Sequence, residues 1–333
     1  MRSILISKLH DKALTVYPEN IINNLKSIAA LDDGVYNKEE ILKNSTNFQD
    51  VEYIFSTWGM EQFTEDEIKS IFPSLKAVFY SAGTVQYFAR PFLNCGVKVF
   101  SAWAANAVPV AEYTIAQILL ANKGFFACSE LKSHGQEKES YRLSMNYCGN
   151  YNANIGLIGV GMIGKLVAKM LKDYKLNVFA YDPFLPANVA DELGITMCSL
   201  EEIFAKCQVV SNHLANKEQT KNILNYNLFS KMLPYSTFIN TGRGAQVRED
   251  DLARILKERP DITAILDVTD PEPPVDGHDF YILPNCFMTP HIAGSNGREV
   301  ERMSEYMVEE FKKFTNNEPT NYEVTLKMLE TMA

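Results

Sequence analysis

The segment Ile155-Gly156-Leu157-Ile158-Gly159-Val160-Gly161-Met162-Ile163-Gly164, which runs on to Tyr181-Asp182-Pro183, constrains this chain more than any other. Asn154 to Ile158 is a short apolar run suited to a strand buried on both faces, and Gly159, Gly161 and Gly164 follow it at G-x-G-x-x-G spacing. From Lys165 to Lys172 the apolar residues Leu166, Val167, Met170 and Leu171 fall on one side of a helix. Gly159 permits a tight turn, Gly161 lets the backbone approach a pyrophosphate, and Gly164 lets helix and strand pack closely. The helix entered through Met162 and Ile163 offers unpaired N–H groups to phosphate oxygens. A second apolar run, Asn177 to Tyr181, ends in Asp182, with 17 residues between it and Gly164. A carboxylate there accepts hydrogen bonds from a ribose 2′-hydroxyl and repels a 2′-phosphate, so the expected cofactor is NAD rather than NADP. Three glycines alone would suit ordinary turns. Strand, helix, second strand and terminal acid together make a dinucleotide clamp.

The chain of 333 residues is long enough for two domains, each with a sizeable core. A formal net charge of −9 leaves no general basic face, so neither nucleic acid nor an anionic membrane is an expected partner, and an anionic substrate needs a local cation. The apolar run at the N-terminus is too short for a signal peptide, and no apolar stretch approaches the ~20 residues of a membrane span, so a cytoplasmic location is expected. Cys95, Cys128, Cys148, Cys198, Cys207 and Cys286 lack C-x-x-C pairs and any His spacing suited to zinc. They read as reduced thiols, and no metal is expected.

Residues 1–100 alternate apolar runs with amphipathic stretches. Ile4 to Ile6, Val51 to Phe55, Leu75 to Tyr80 and Val97 to Phe100 are expected strands; Asn20 to Ala29, Lys38 to Lys43 and Glu65 to Phe72 are expected helices. That alternation implies a parallel sheet with helices on its faces. Ser56-Thr57-Trp58-Gly59-Met60 and Ser81-Ala82-Gly83-Thr84-Val85 follow two of these strands, where ligands gather in open parallel sheets. Ordinary turn chemistry, with Trp58 a partly buried surface aromatic, fits them as well. From Ala104 to Lys123 the sequence is apolar and helical. Pro109 suits its first turn, and Asn106 either caps that turn or points at a ligand. Residues 124–152 are polar and irregular and are expected to protrude.

Beyond the clamp, Val209 to Asn212, Thr237 to Asn240 and Thr263 to Asp267 are three more strand-like runs, which extend the first βαβ unit into a full nucleotide-binding domain. Ligand candidates follow each: His213-Leu214-Ala215, Thr241-Gly242-Arg243-Gly244, Asp267 to Pro274, and finally Thr289 to Ser295. Arg298 to Phe314 reads as an amphipathic helix before a short tail.

Three residues suggest chemistry. Arg243 lies between two glycines that leave room for a carboxylate against the guanidinium fork. Glu272 is boxed by Pro271, Pro273 and Pro274, which restrict the backbone and aim the side chain. His291 follows Pro290 and precedes Ala293-Gly294-Ser295. Hydride transfer at a carbon bearing oxygen needs a group that moves the hydroxyl proton, and histidine, with an ordinary pKa near ~6.5, suits that task. A carboxylate beside it fixes its tautomer and stabilises the charge it takes up, so Glu272 and His291 are an expected dyad. Taken singly, each residue also fits a surface role. His10 and His134 lie in polar surroundings, and the rival base His278 sits in an Asp-Gly-His-Asp context that reads as a solvated turn.

With the clamp and Asp182, the motifs Val209-Val210-Ser211-Asn212-His213-Leu214, Ile239-Asn240-Thr241-Gly242-Arg243-Gly244, Leu266-Asp267-Val268 through Glu272-Pro273, and Thr289-Pro290-His291-Ile292-Ala293-Gly294 together resemble the NAD-dependent D-2-hydroxyacid dehydrogenases, and the resemblance covers nearly the whole chain. It implies an α/β fold of two doubly wound domains with a cleft between them. A flavodoxin-like substrate domain would comprise 1–104 plus 296–333, and a Rossmann NAD-binding domain 105–295. It implies an oxidoreductase, a 2-ketoacid reductase, interconverting a 2-keto acid and a D-2-hydroxy acid. Arg243 would bind the carboxylate, His291 would act as acid/base, and Glu272 would support His291. Asp267 matches an acid that holds the nicotinamide carboxamide. His213 and Thr241 fall among the cofactor residues; Gly83, Thr84, Asn106 and Trp58 fall on the substrate side. Family members are usually homodimers, with much of the contact expected here from residues 104–150.

The chain also departs from the family pattern. Where members using phosphorylated substrates tend to carry Arg, it has Ser56-Thr57-Trp58-Gly59, and no C-terminal regulatory domain is expected. A 3-phosphoglycerate-type substrate is therefore disfavoured, and Trp58 with Tyr80 or Trp103 suggests an apolar or sugar-stacking pocket. Gly242 replaces a frequent Ala, which is expected to loosen the Arg243 loop. The arm at 124–152 lacks a usual Gly-x-Trp pattern. Two other readings share the fold: an NAD-sensing corepressor-like binding protein, and a formate- or phosphite-type dehydrogenase, although Gln normally partners the His in formate enzymes.

Overall fold

Apolar runs without alternation become strands covered on both faces, and here they form two separate sheets. The computed structural model describes residues 1–330. The chain divides into two compact units, Met1–Asn106 with the chain from Ser295 onward, and Ala107–Gly294. The first contains β1 (Ser3–Ile6), β2 (Leu31–Tyr36), β3 (Tyr53–Ser56), β4 (Ala77–Tyr80) and β5 (Lys98–Ser101). The second contains β6 (Asn154–Ile158), β7 (Asn177–Tyr181), β8 (Ile195–Met197), β9 (Val209–Asn212), β10 (Thr237–Asn240), β11 (Thr263–Leu266) and β12 (Cys286–Met288). The tail returns to the first unit as β13 (Glu323–Val324).

The first sheet runs β13-β5-β4-β3-β1-β2. Only β13 is antiparallel, pairing Glu323 with Phe100, so the order is flavodoxin-like with an added edge. Every residue of β1, β3 and β4 is buried. On one face, Phe55 stacks on Phe79 at 5.3 Å and Phe79 on Phe100 at 4.8 Å. Phe311 and Phe314 of the helix Glu301–Thr315 close over that column. Two elements were not legible in the apolar pattern. Strand β2, with the sequence Leu-Asp-Asp-Gly-Val-Tyr, lies at an edge where only Leu31 is buried, and the tail is a strand because β5 offers it an unpaired side.

The second sheet runs β12-β11-β10-β9-β6-β7-β8, all parallel. This is the 3-2-1-4-5-6 order of a dinucleotide-binding sheet with one further strand, and its switch point lies between β6 and β9. Burial of Ile155, Leu157, Val209, Ile239 and Ile265 builds the core on one face, and Phe204, Phe229 and Phe238 build it on the other.

Three local expectations change. The long apolar helix begins at Trp103 and ends at Ala121, so Pro109 is inside it and Asn106 does not precede it. By length and composition this helix could cross a membrane, contrary to the sequence expectation, but half of it is buried within the fold. Its apolarity is used there: Ala111, Ile115, Ile118 and Ala121 belong to the core of the second unit. Residues 124–152 are not irregular but contain the helices Phe125–Ser133 and Glu137–Ser144.

Candidate active site

The glycine loop follows β6. Gly159 has φ +88° and faces the His213 carbonyl, which a Cβ would approach to 2.8 Å. A Cβ on Gly164 would lie 2.2 Å from the Gly159 oxygen. Helix and turn meet at backbone distance, and only glycine fits. At Gly161, by contrast, nothing lies within 4 Å of a built Cβ, so that face is open. The helix Met162–Leu171 has no side-chain cap, and its backbone bonding starts with Lys165 N–H donating to Gly161 O at 3.0 Å. Its first N–H groups are therefore available to an anion. Asp182, at the end of β7, accepts from Val160 N–H at 2.7 Å and from Phe184 N–H at 2.9 Å. One carboxylate thus fixes the loop and stands at its rim. Open backbone at Gly161, uncapped N–H groups and an adjacent acid fit an adenine dinucleotide.

His213 and Thr241 lie beneath this loop. His213 Nε2 is 3.0 Å from Ser211 Oγ, and its Nδ1 is 3.4 Å from Thr241 Oγ1. Burial pushes the imidazole down to about 4, so the ring is neutral and packed.

Arg243 follows β10 with an extended backbone, φ −144° and ψ 150°. Its Nη1 donates to the Gly242 carbonyl at 2.7 Å. Side-chain amides bond the backbone of this loop. Arg243 N–H donates to Gln246 Oε1 at 3.1 Å, and Arg243 O accepts from Asn240 Nδ2 at 3.1 Å.

His291 and Glu272 are brought together, with His291 Nδ1 2.8 Å from Glu272 Oε1. Both side chains are partly exposed, 45% and 41%, so solvent reaches the pair. Asp267 shapes the histidine loop from the buried end of β11. Its carboxylate accepts from Thr289 Oγ1 at 2.6 Å, Ile292 N–H at 2.8 Å and Ala293 N–H at 2.9 Å, while its carbonyl accepts from His291 N–H at 3.0 Å. Those four bonds hold His291 at φ +54°, a left-handed conformation that a β-substituted residue adopts only when its surroundings impose it. On the glutamate loop, Glu249 Oε1 accepts from Asp270 N–H at 2.8 Å, and burial raises the Glu249 carboxyl to about 7. His278 is otherwise engaged: its Nδ1 accepts from Phe280 N–H at 3.2 Å and its ring packs on Phe280.

In the first unit, the loops after β3 and β4 are pinned by hydroxyls. Ser7 Oγ donates to Trp58 O at 2.8 Å, Thr57 Oγ1 to Ser81 O at 2.7 Å, and Ser101 Oγ to Gly83 O at 2.6 Å. Thr84 follows on the exposed side. Among the described residues, Trp58 makes no ring contact with Tyr80 or Trp103. Lys12 Nζ sits 4.8 Å from its ring centroid, Tyr80 packs on Phe88, and Trp103 packs on Tyr322. Asn106 neither caps a helix nor stands free, because its Oδ1 accepts from Ser295 N–H at 3.0 Å. Sequence reasoning missed Asn212, Asn240, Gln246 and Glu249 as loop-holding residues. A polar residue closing each of two adjacent buried strands, Asn212 and Asn240, was the available signal.

Residues 115–293, more than half of the chain, match the family model for the D-isomer specific 2-hydroxyacid dehydrogenase, NAD binding domain. The chain belongs to that family. The D-3-phosphoglycerate dehydrogenase of Archaeoglobus fulgidus is 27% identical over 235 residues, 71% of this chain and 44% of the relative. This chain spans about half the length of the curated relatives it matches. Among solved structures, apo D-mandelate dehydrogenase of Rhodotorula graminis is 19% identical with a TM-score of 0.77 over 97% of each chain. The NAD-complexed D-isomer specific 2-hydroxyacid dehydrogenase of Lactobacillus delbrueckii ssp. bulgaricus is 17% identical with a TM-score of 0.77, covering 98% of this chain and all of that one. At these identities the two structures speak to the fold. The match shows the family and its NAD-binding domain.

Proposed function

We propose that this protein is an NADH-dependent reductase of 2-keto acids, running reversibly as a D-2-hydroxyacid dehydrogenase. The observation that carries the reading is the 2.8 Å contact between His291 and Glu272 in the unit that also holds the clamp and Arg243. NADH, when bound, supplies a hydride to C2 of the keto acid. Arg243 binds the substrate carboxylate through its planar fork and polarises the neighbouring carbonyl. His291 gives a proton from Nε2 to the oxygen that becomes the hydroxyl, because Glu272 occupies Nδ1 and so fixes which nitrogen faces outward. Glu272 also stabilises the charge that His291 takes up in the reverse direction.

Gly159, Gly161, Met162, Ile163, Gly164 and Asp182 hold the dinucleotide in this reading, with His213, Thr241 and Asp267 completing its site. Gly83, Thr84, Asn106 and Trp58 serve the substrate. The protein works in the cytoplasm and as a homodimer; Phe125, Tyr141 and Met145, 49%, 71% and 71% exposed on the arm, support the dimer.

The test is an NADH-oxidation screen over keto acids graded in size from glyoxylate to sugar-derived acids. Turnover with at least one of them, and its loss in His291→Ala, is expected. Tight NADH binding without turnover would replace the reading with that of a cofactor-sensing binding protein, and full activity of His291→Ala would remove His291 from the chemistry.

A further inference from the structure

Three buried carboxamides that no catalytic reading uses, those of Asn212, Asn240 and Gln246, converge on the Arg243 loop. Asn212 closes β9 and Asn240 closes β10, and the two are direct cross-strand partners. Asn212 Nδ2 donates to Asn240 Oδ1 at 3.0 Å and to Gln246 Oε1 at 2.6 Å. Gln246 Nε2 donates to Leu214 O at 2.6 Å, and Asn212 Oδ1 accepts from Leu214 N–H at 3.2 Å. Asn212 and Gln246 are fully buried, and Asn240 is 1% exposed. The network ends on the arginine. Gln246 takes the Arg243 N–H, Asn240 takes the Arg243 carbonyl, and Asn240 Oδ1 also accepts from Gly242 N–H at 3.1 Å. A Cβ on Gly242 would stand 2.7 Å from Gln246 Oε1 and 2.9 Å from Asn212 Nδ2. The glycine therefore leaves the space in which the two amides meet.

Resting on the proposed keto-acid reaction, we propose that Asn212 and Gln246 are positioning residues. Gln246 bonds the Arg243 N–H and Asn212 holds Gln246 and Asn240 in place, which fixes the Arg243 backbone and with it the place where a substrate carboxylate is received; Gly242 is glycine to admit them. In the buried interior such amides either bond fully or destabilise, so the network enforces one loop conformation. A guanidinium on a fixed backbone meets a carboxylate without first losing conformational freedom.

The full chain carrying Gln246→Leu, Gly242→Ala or the pair Asn212→Leu with Gln246→Leu tests this by amide hydrogen exchange across residues 240–247, NADH affinity, and KM and kcat for the keto acid found by the screen. In each variant, exchange at Gly242 and Arg243 is expected to accelerate about tenfold or more, and keto-acid KM to rise about tenfold, while NADH affinity stays within about twofold. Unchanged exchange and KM in Gln246→Leu and Gly242→Ala would overturn the proposal. So would equal losses of NADH and keto-acid affinity, the mark of general loosening. If the wild-type protein reduces no keto acid, the proposed function falls, and the exchange measurements alone decide whether the amides fix Arg243.

Discussion

Gly244 meets Thr269 at backbone distance: a Cβ on Gly244 would lie 2.0 Å from the Thr269 carbonyl carbon and 2.4 Å from Asp270 N. The loop that bears Arg243 and the loop that bears Glu272 thus touch through main chain, with no side chain between them. Neither can move toward the other, since the contact is one of hard atoms rather than of flexible groups.

Gly244→Ala forces those two loops apart. Overpacking against backbone is expected to cost roughly 1–3 kcal/mol of stability, and turnover falls because Arg243 and Glu272 separate. Urea unfolding and steady-state kinetics on the same preparation check it; a variant with wild-type midpoint and wild-type kcat/KM would show that the loops are not coupled.

Glu272→Gln keeps an acceptor for Nδ1 but removes the negative charge beside His291. The expected result is a fall in kcat of roughly 10- to 100-fold with NADH affinity unchanged. Comparison with His291→Asn sets the scale. Should Glu272→Gln reduce NADH affinity instead, Glu272 acts on the cofactor rather than on the histidine.

Asp182→Ala removes the acceptor for Val160 N–H and Phe184 N–H together with the proposed ribose contact. NADH affinity is expected to drop about tenfold or more, and the preference for NADH over NADPH to shrink. Titration with both cofactors measures it, and an undiminished preference would move the discrimination elsewhere.

His213 and Glu249 give stability opposite pH dependences. Burial lowers His213 from 6.5 to about 4, so the unfolded chain takes up a proton first. Stability from this group is present above about 6.5 and is lost as pH falls to 4, on the order of 3 kcal/mol. Glu249 is raised from 4.5 to about 7 by burial, so its contribution is present below 4.5 and is lost as pH rises to 7. His213→Gln should flatten the acid decline and Glu249→Gln the neutral one, read as unfolding free energy against pH. Parallel curves for wild type and His213→Gln would contradict the neutral buried imidazole.

Much of the fold was legible because buried parallel strands record themselves locally as unbroken apolar runs. Strands β1, β3, β4, β6, β7, β9 and β10 all carry that signal. Strand β2 and the tail strand β13 do not, since an edge needs only a partner's free backbone groups and little apolar surface. The length of the helix Trp103–Ala121 was legible, but its start was not, because Pro109 reads as a first-turn residue and lies inside the helix instead.

By itself the sequence determined the glycine clamp, the acid after the second strand, and the residue types able to hold a carboxylate and move a proton. These are local facts of composition and spacing. Only the tertiary structure decided which groups meet. His291 and Glu272 are 19 residues apart, Gln246 and Asn212 are 34 apart, and Asn106 and Ser295 are 189 apart. A hydrogen bond between such residues depends on strand order and register, which arise from packing the whole sheet. The same dependence places Gly242 where a Cβ would stand between the buried amides of Gln246 and Asn212.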